Sequence, residues 1–369
     1  MLKWAWKSLM NQPGNLLGGS LGIAGAFILV MFFDAVWRGE SVQIVAYPNN
    51  VKPDVWVMQR GVGNMHMAMS FLWDWKADKI AEMPEVKRVT PILYMNSVIT
   101  AGNYEPFAFI VGLLPGTERA GPWEMSSGRK IENVGEAVIP DVLAKLTGVT
   151  IGDQFRIVNK NFKVVGLSKG TYSSANAVIF VPFSELEDIV SATGTYSYLL
   201  VDAEKGVDAT ELAKKIRTEI NKINALPHEE FVENDLAMAK QMGVEIIFMM
   251  TVICSTLAAL IVGFTAYSLV ARKRRELAIV KALGVTNGPI FYSVIMQSII
   301  VTSFGFLLAA AFTLIVTPYL PILVPQLTLV ISIIAMAQIG VIALLVSILG
   351  ALIPAYLMSR IDPAVAFHI

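Results

Sequence analysis

Ile333-Ile334-Ala335-Met336-Ala337-Gln338-Ile339-Gly340-Val341-Ile342-Ala343-Leu344-Leu345-Val346-Ser347-Ile348-Leu349-Gly350-Ala351-Leu352 is an unbroken uncharged stretch inside a longer uncharged run from about Leu329 to Met358. About 20 apolar residues, at ~1.5 Å each, cross the hydrocarbon core of a bilayer as a helix. Three further runs meet that length. Leu16 to Val36 holds one charge, Asp34, near its far end; Val244 to Val270 begins beside Glu245; Ile290 to Val316 has no charge. A single run of this kind can be the core helix of a large soluble protein, but four in one chain exclude that reading. The first is too long for the apolar region of a signal peptide, and Trp37 stands where small cleavage-site residues belong. It is expected to be a retained helix. The sequence therefore predicts transmembrane helices over 16–37, 244–270, 290–316 and 329–358.

Composition agrees. Of 369 residues, 55% are hydrophobic and only 16% charged, and the mean hydropathy is +0.59; soluble domains carry about a quarter charged residues. Lys+Arg and Asp+Glu both total 29, so no net charge points to nucleic acid. Cys254 is the sole cysteine, which excludes an intrachain disulfide framework and a CxxC metal site. Basic residues in short loops set orientation. Lys3 and Lys7 precede the first run, and Arg272, Lys273, Arg274, Arg275 and Lys281, against Glu276 alone, lie between the second and third. The loop 317–328 is uncharged and carries Pro318, Pro321 and Pro325. The segments 1–15, 271–289 and 359–369 are accordingly expected in the cytoplasm, with 38–240 on the far side. That far segment holds 21 basic and 25 acidic residues.

Residues 38–240 alternate short β-type runs with turn signals: Val55–Val57, Ala108–Gly112, Phe155–Val158, Phe162–Gly166 and Ala177–Val181. Helical signals fall at Asp74–Met83, Ser184–Val190 and Ala209–Ala225, the last with Leu212, Ile216, Ile220 and Ile223 at helical spacing. The expected fold is thus a membrane protein of four transmembrane α-helices, with a large α+β extracytoplasmic domain between helices one and two.

The motifs of catalysis are missing. There is no GxxxxGK[ST], GxSxG, HExxH or CxxC, and His66, His228 and His368 lie far apart. One stretch is unusual: Met58 to Met69 places Met65, His66, Met67 and Met69 among glycines. Structural packing is its plainest reading, with an adaptable substrate or partner surface second and a soft-metal or haem ligand set last.

Three segments resemble FtsX/MacB-type ABC transporter permeases. Arg274-Arg275-Glu276-Leu277-Ala278-Ile279-Val280-Lys281-Ala282-Leu283-Gly284 is similar to that family's cytoplasmic coupling helix. Pro354-Ala355-Tyr356 followed by Arg360-Ile361-Asp362-Pro363-Ala364-Val365-Ala366 resembles its C-terminal ending, and Gly128-Arg129, Gly135–Ile139, Gly152-Asp153 and Phe162–Gly166 resemble its MacB-like periplasmic core. Asp54–Val57 with the glycine-rich turn after it is similar to DevC- and HrtB-like export permeases. The resemblance implies a non-catalytic membrane subunit of the bacterial inner membrane. It implies a separate ABC ATPase carrying ATP and Mg, because the phosphate-binding loop is absent and only about 15 residues precede Leu16. It further implies a second permease, identical or related, and a periplasmic adaptor with an outer-membrane channel. The role implied is export of an amphiphile (lipid, drug, peptide or haem-like) by mechanotransmission; an FtsX-like action on a cell-wall hydrolase and a lipoprotein-release permease stand as alternatives.

The residues fit this physically. In the 274–284 segment, Leu277, Val280 and Leu283 fall on one side of a helix, with Arg274, Glu276 and Lys281 elsewhere, and Gly284 supplies a left-handed stop. Arg274, Arg275, Glu276, Leu277, Val280, Lys281, Leu283 and Gly284 are the expected ATPase-coupling residues. Gly18 and Gly22, extended by Ala26, form a GxxxG step for close helix packing, either on the chain's own second span or on a second permease.

Overall fold

The computed structural model describes residues 6–7, 9–11, 13–66, 69–173, 177–241, 245–272 and 274–359. Lys3, Met67, Lys273 and the tail 360–369 lie outside the described residues. The chain divides into two compact units: residues 1–38, 246–320 and 329–369 form one, and 39–245 with 321–328 the other. Helix α1, Pro13–Ile44, is longer than the expected 16–37.

The second unit is an α+β domain. After α2 (Ala46–Val51) come β1 (Val55–Gln59), β2 (Leu72–Trp73), α3 (Trp75–Ala81), β3 (Val86–Thr100), β4 (Phe107–Leu113), β5 (Met125–Gly128) and β6 (Glu136–Pro140). Then follow α4 (Asp141–Thr147), β7 (Gln154–Ile157), β8 (Lys160–Ser168), β9 (Ala177–Pro182), α5 (Phe183–Val190), β10 (Thr195–Tyr196), β11 (Tyr198–Ala203), α6 (Ala209–Glu219), β12 (Ile223–Pro227) and α7 (His228–Ala239). The sheet order is β12-β1-β11-β3-β4-β9-β6-β8-β5, and β7 pairs with both β3 and β8. That double pairing closes β3, β4, β9, β6, β8 and β7 into a ring.

Every residue of Val55–Met58 is fully buried, which explains why β1 reads as a continuous apolar run: both of its faces are covered. On one face Trp56 and Met58 join Tyr94, Phe180, Tyr198 and Phe231. On the other, Val55 and Val57 meet Leu212, Ala213 and Ile216 of α6. Inside the ring, Leu93, Ile110, Ile139, Phe162, Val164 and Ile179 make a third core.

Helix α6 starts on Asp208, whose Oδ1 accepts from the N–H of Thr210 at 2.9 Å and of Glu211 at 3.0 Å. It ends earlier than the expected Ala225. Ile220 is extended (φ −116°, ψ 121°), Lys222 turns the chain at φ 60°, and Ile223–Pro227 pairs with β1. Ile216, Ile220 and Ile223 do share one core, so a helix and a strand feeding the same interior imitated one helical period.

At the start of β6, Glu136 is buried and its carboxylate takes Arg129 Nη1 at 2.8 Å and the N–H groups of Glu132 and Asn133 at 3.0 and 3.1 Å. The Arg129 hydrogen bond holds its pKa well below the ordinary carboxylate range. Because the folded value is depressed, the stability this carboxylate supplies is complete above its unfolded value and is lost as pH falls below about 4.5 toward the folded one. Glu136→Gln is expected to lower the thermal midpoint at pH 7 and to flatten its fall in acid, measured on the full chain in detergent.

The first unit continues with α8 (Glu245–Arg272), α9 (Arg274–Ala282) and α10 (Asn287–Val316); a short α11 (Leu320–Leu323) opens the segment assigned to the second unit, and α12 (Ile333–Ser359) returns to the first. Among the described residues four helices, within α1, α8, α10 and α12, are long and apolar enough to cross a membrane. Their contacts rely on small and hydroxylated residues, as expected where lipid gives no hydrophobic drive. A Cβ added at Gly305 of α10 would lie 2.8 Å from Ser20 O of α1, and one at Gly350 of α12 would lie 2.8 Å from Gly263 Cα of α8. Ser347 Oγ sits 2.9 Å from Ser298 Oγ and accepts from Thr302 Oγ1 at 3.0 Å.

The expected GxxxG step packs differently. A Cβ at Gly18 or Gly22 meets nothing within 4 Å, whereas one at Gly19 comes within 2.9 Å of Thr265. Ser20, Ile23, Ala24 and Phe27 are buried together with Ala26. The face of α1 that meets the chain's own helices is therefore one residue round from Gly18 and Gly22, and only Ala26 of the expected trio belongs to it. Gly305→Val is expected to cost about 1–3 kcal/mol by overpacking against backbone, read as a lower detergent-denaturation midpoint.

Candidate functional site

Helix α9 is a short amphipathic helix between two membrane-length helices, and its end is built for a sharp stop. Gly284 sits at φ +90°; its N–H donates to Lys281 O at 3.0 Å, and Val285 N–H donates to Val280 O at 3.4 Å. This pair of bonds is the Schellman arrangement, which satisfies the last carbonyls of a helix and favours glycine. Glu276, Ile279, Ala282 and Leu283 are exposed, while Val280 and Lys281 are half-buried. Ile279 is 45% exposed and Leu283 80%. The apolar surface offered outward is thus centred on Ile279 and Leu283. Sequence reading found Leu283 but missed Ile279, although the i, i+4 spacing from 279 to 283 carried the signal. Arg274, Arg275 and Leu277 lie on the same helix. Replacing Gly284 with Val forces a branched L-residue into the left-handed region, a cost of about 1–2 kcal/mol. Fraying of the last turn of α9 is the expected result, measured as faster amide exchange over 280–285.

The methionine-rich stretch is placed elsewhere and does different work. Met65 and His66 are buried, so they form no substrate or partner surface; Met69 is exposed. Five side chains from four elements pin the backbone here. Asn224 Nδ2 donates to Val62 O at 2.8 Å, Tyr198 Oη to Asn64 O at 3.0 Å, Tyr94 Oη to Met65 O at 2.8 Å and Asn96 Nδ2 to His66 O at 3.3 Å. From α7, Asp235 Oδ1 accepts from Met65 N–H at 2.7 Å and lies 2.8 Å from His66 Nδ1. The His66 ring also meets Phe109 edge-on at 5.0 Å. Burial holds the pKa of the Tyr94 and Tyr198 hydroxyls well above the ordinary tyrosine value, so both remain donors. His228 is engaged separately, accepting from Trp56 Nε1 at 3.3 Å, and desolvation lowers its pKa below the usual value. No group of three or more His, Cys, Asp or Glu side chains among the described residues is arranged to hold a metal. Asp235 had no local signal, since its partner is 169 residues away.

An open cleft of about 600 Å³ in the α+β domain is lined by Leu113, Leu114, Ile131, Val134, Phe183 and Glu187 among others. Glu187 Oε1 is already engaged by Gly194 N–H at 2.9 Å.

With these elements in place, the comparisons are decisive. Residues 14–219 match the model of the MacB-like periplasmic core domain, and residues 248–363 match that of the FtsX-like permease C-terminal region. The chain belongs to the FtsX/MacB-type ABC transporter permeases. This permease is 22% identical to an uncharacterised ABC transporter permease of Mycobacterium tuberculosis, over 100% of this chain and 99% of the relative. It is 20% identical to a Staphylococcus epidermidis protein named as a hemin transport system permease, HrtB, over 87% of each. Pyoverdine export ATP-binding/permease protein PvdT of Pseudomonas aeruginosa is 22% identical over 98% of this chain, which spans 57% of that longer protein. The periplasmic region of MacB from Actinobacillus actinomycetemcomitans aligns with 52% of this permease and 96% of its own chain, at 13% identity and a TM-score of 0.39. The family match makes this chain a multi-pass membrane protein and implies an ATPase partner.

Proposed function

We propose that this permease is a non-catalytic subunit that docks a separate ABC ATPase through α9 and relays its closure, by mechanotransmission, to the α+β domain, expelling an amphiphile. The observation that carries the reading is α9 itself: a short helix between two membrane-length helices, ended by Gly284 and presenting exposed Ile279 and Leu283. PvdT, whose name joins ATP-binding and permease parts, is nearly matched by this chain over little more than half its length. ATP and Mg are accordingly assigned to a partner chain. A second permease completes the assembly in this reading; Gly18 and Gly22, which face none of the chain's own described atoms within 4 Å, lie on the helix face left for it. HrtB is named for hemin transport and PvdT for pyoverdine export, which favours export over action on a cell-wall hydrolase or lipoprotein release.

Two tests follow. The chain purified alone is expected to show background ATP turnover only; activity that survives rigorous removal of partners overturns the reading. The excess of basic residues around α9 supports a cytoplasmic position for it and for both termini, in a chain that spans a bacterial inner membrane. In a Cys254→Ala background, cysteine at Ser126 is expected to react with an impermeant thiol reagent added outside, and cysteine at Thr286 is not. Outside labelling at Thr286 inverts the topology.

A further inference from the structure

Two glycines decide where α8 and α12 touch. A Cβ added at Gly350 of α12 would lie 2.8 Å from Gly263 Cα of α8, so the two backbones meet with no side chain between them. One span, α10, separates these helices in the chain, so both cross the membrane in the same direction. Counting back in fours from the contact gives Ala259 and Ser255 on α8, and Val346 and Ile342 on α12. All four line a groove of about 100 Å³, which opens just past the glycine contact. Phe27 and Val30 of α1, both buried, close its back. The groove exists because Ser255 and Ala259 are too short to reach across to the α12 wall.

Depth selects the occupant. At ~1.5 Å per residue, Ser255 and Ala259 lie about 15 and 21 Å along α8 from Glu245, and Ile342 about 14 Å along α12 from Ile333. Half the hydrocarbon core of a bilayer is about 15 Å. The groove therefore lies at mid-membrane, where the surroundings are lipid chains and other helices. Water is excluded by chemistry: Ser255 Oγ, the one side-chain polar atom in the lining, already donates to Thr251 O at 2.7 Å, whereas a trapped water needs about two to four polar partners. A neighbouring helix, about 10–12 Å across with its side chains, is too wide to enter a slot of this volume. An unbranched alkyl chain does enter, and it restores the dispersion contacts that an empty lining forfeits. Ser255 and Ile342 are exposed, so the slot is open on its outer side. The glycine contact shuts one end, so a chain lies with its terminal methyl there and its headgroup toward the other. We propose that this groove is a binding site for one acyl chain of a membrane lipid whose headgroup lies at the Glu245 end of α8. The site goes beyond the transport reading and depends on neither the exported substrate nor α9.

The test reconstitutes the full chain in phosphatidylcholine and phosphatidylglycerol bilayers containing a phosphatidylcholine with a diazirine at mid-chain. The control is Phe304 of α10, an exposed residue level with Ile342, since Gly340 stands against Phe306. Photolysis and peptide mass spectrometry are expected to place adducts on Ile342 and Val346 at least about fivefold above those on Phe304. Ala259→Phe and Ser255→Leu each fill the slot and are expected to cut the Ile342 and Val346 adducts at least about fivefold, with Phe304 unchanged. Ser255 is exposed, so Ser255→Leu is expected to keep the detergent-denaturation midpoint and serves even where Ala259→Phe does not insert. Equal labelling at the groove and at Phe304, yields indifferent to the filling variants, or a groove labelled less than Phe304 because a second copy covers it would each overturn the inference. Absence of adducts at Phe304 as well would overturn the membrane-spanning reading of α10 and the inference with it.

Discussion

Leu283→Asp is expected to release the ATPase and abolish transport while the permease still inserts and unfolds at its normal temperature. The side chain is 80% exposed in the free chain, so nothing inside the protein is lost by the change. Docking, however, would bury an unpaired carboxylate in an apolar groove at a cost of several kcal/mol. At about 1.4 kcal/mol per tenfold, affinity falls by roughly two to three orders of magnitude. Leu277→Asp is expected to act in the same direction. Glu276→Ala should be mild, less than about tenfold, because an exposed rim charge contributes little to affinity. Pull-down of the ATPase, with insertion checked in parallel, reads all three. If Leu283→Asp and Leu277→Asp keep the ATPase and support transport, α9 is a loop that sets topology and not a coupling element.

Asp235→Ala carries the largest expected loss of stability. It would orphan the Met65 N–H and the His66 ring, both buried against a carboxylate oxygen at 2.7 and 2.8 Å. Unsatisfied buried partners of this kind cost on the order of 2–5 kcal/mol together. The loop 62–66 would lose the hydrogen bonds that tie it to Asp235 of α7, the helix that precedes α8 in the chain. Asp235→Asn keeps an acceptor oxygen and should recover much of the loss. Thermal unfolding of the full chain in detergent separates the two variants, and equal midpoints for Ala and wild type would show that the pair contributes nothing.

The membrane helices were legible because length and missing charge are local properties, and a bilayer demands both. The buried strands were legible for a similar reason: Val55–Val57 and Ala177–Val181 are apolar on consecutive residues, as strands covered on both faces must be. What failed was whatever depended on distant partners. Ile223 continued a helical period only because helix and strand drain into one core. Gly18 and Gly22 left two partners open, and the neighbours of Gly19 and Gly305 show that the chain's own helices use the adjacent face. Met65 and His66, whose plainest reading is structural packing, are buried against Tyr94, Asn96 and Asp235, partners that no local pattern reveals.

Strand β3 deserves one further conclusion. Its first half pairs with β11 and its second with β4 and β7, so a single strand belongs to both the ring and the sheet that extends from it. Along it Val86 enters one core, Leu93 and Met95 a second, and Ile92 and Tyr94 a third. Neither part can melt while the other stays intact without tearing that strand from half its partners. The domain should therefore behave as one cooperative folding unit. Amides along 86–100 should exchange with deuterium at a common, slow rate, and a blow struck at either end should be felt as a loss of protection at the other.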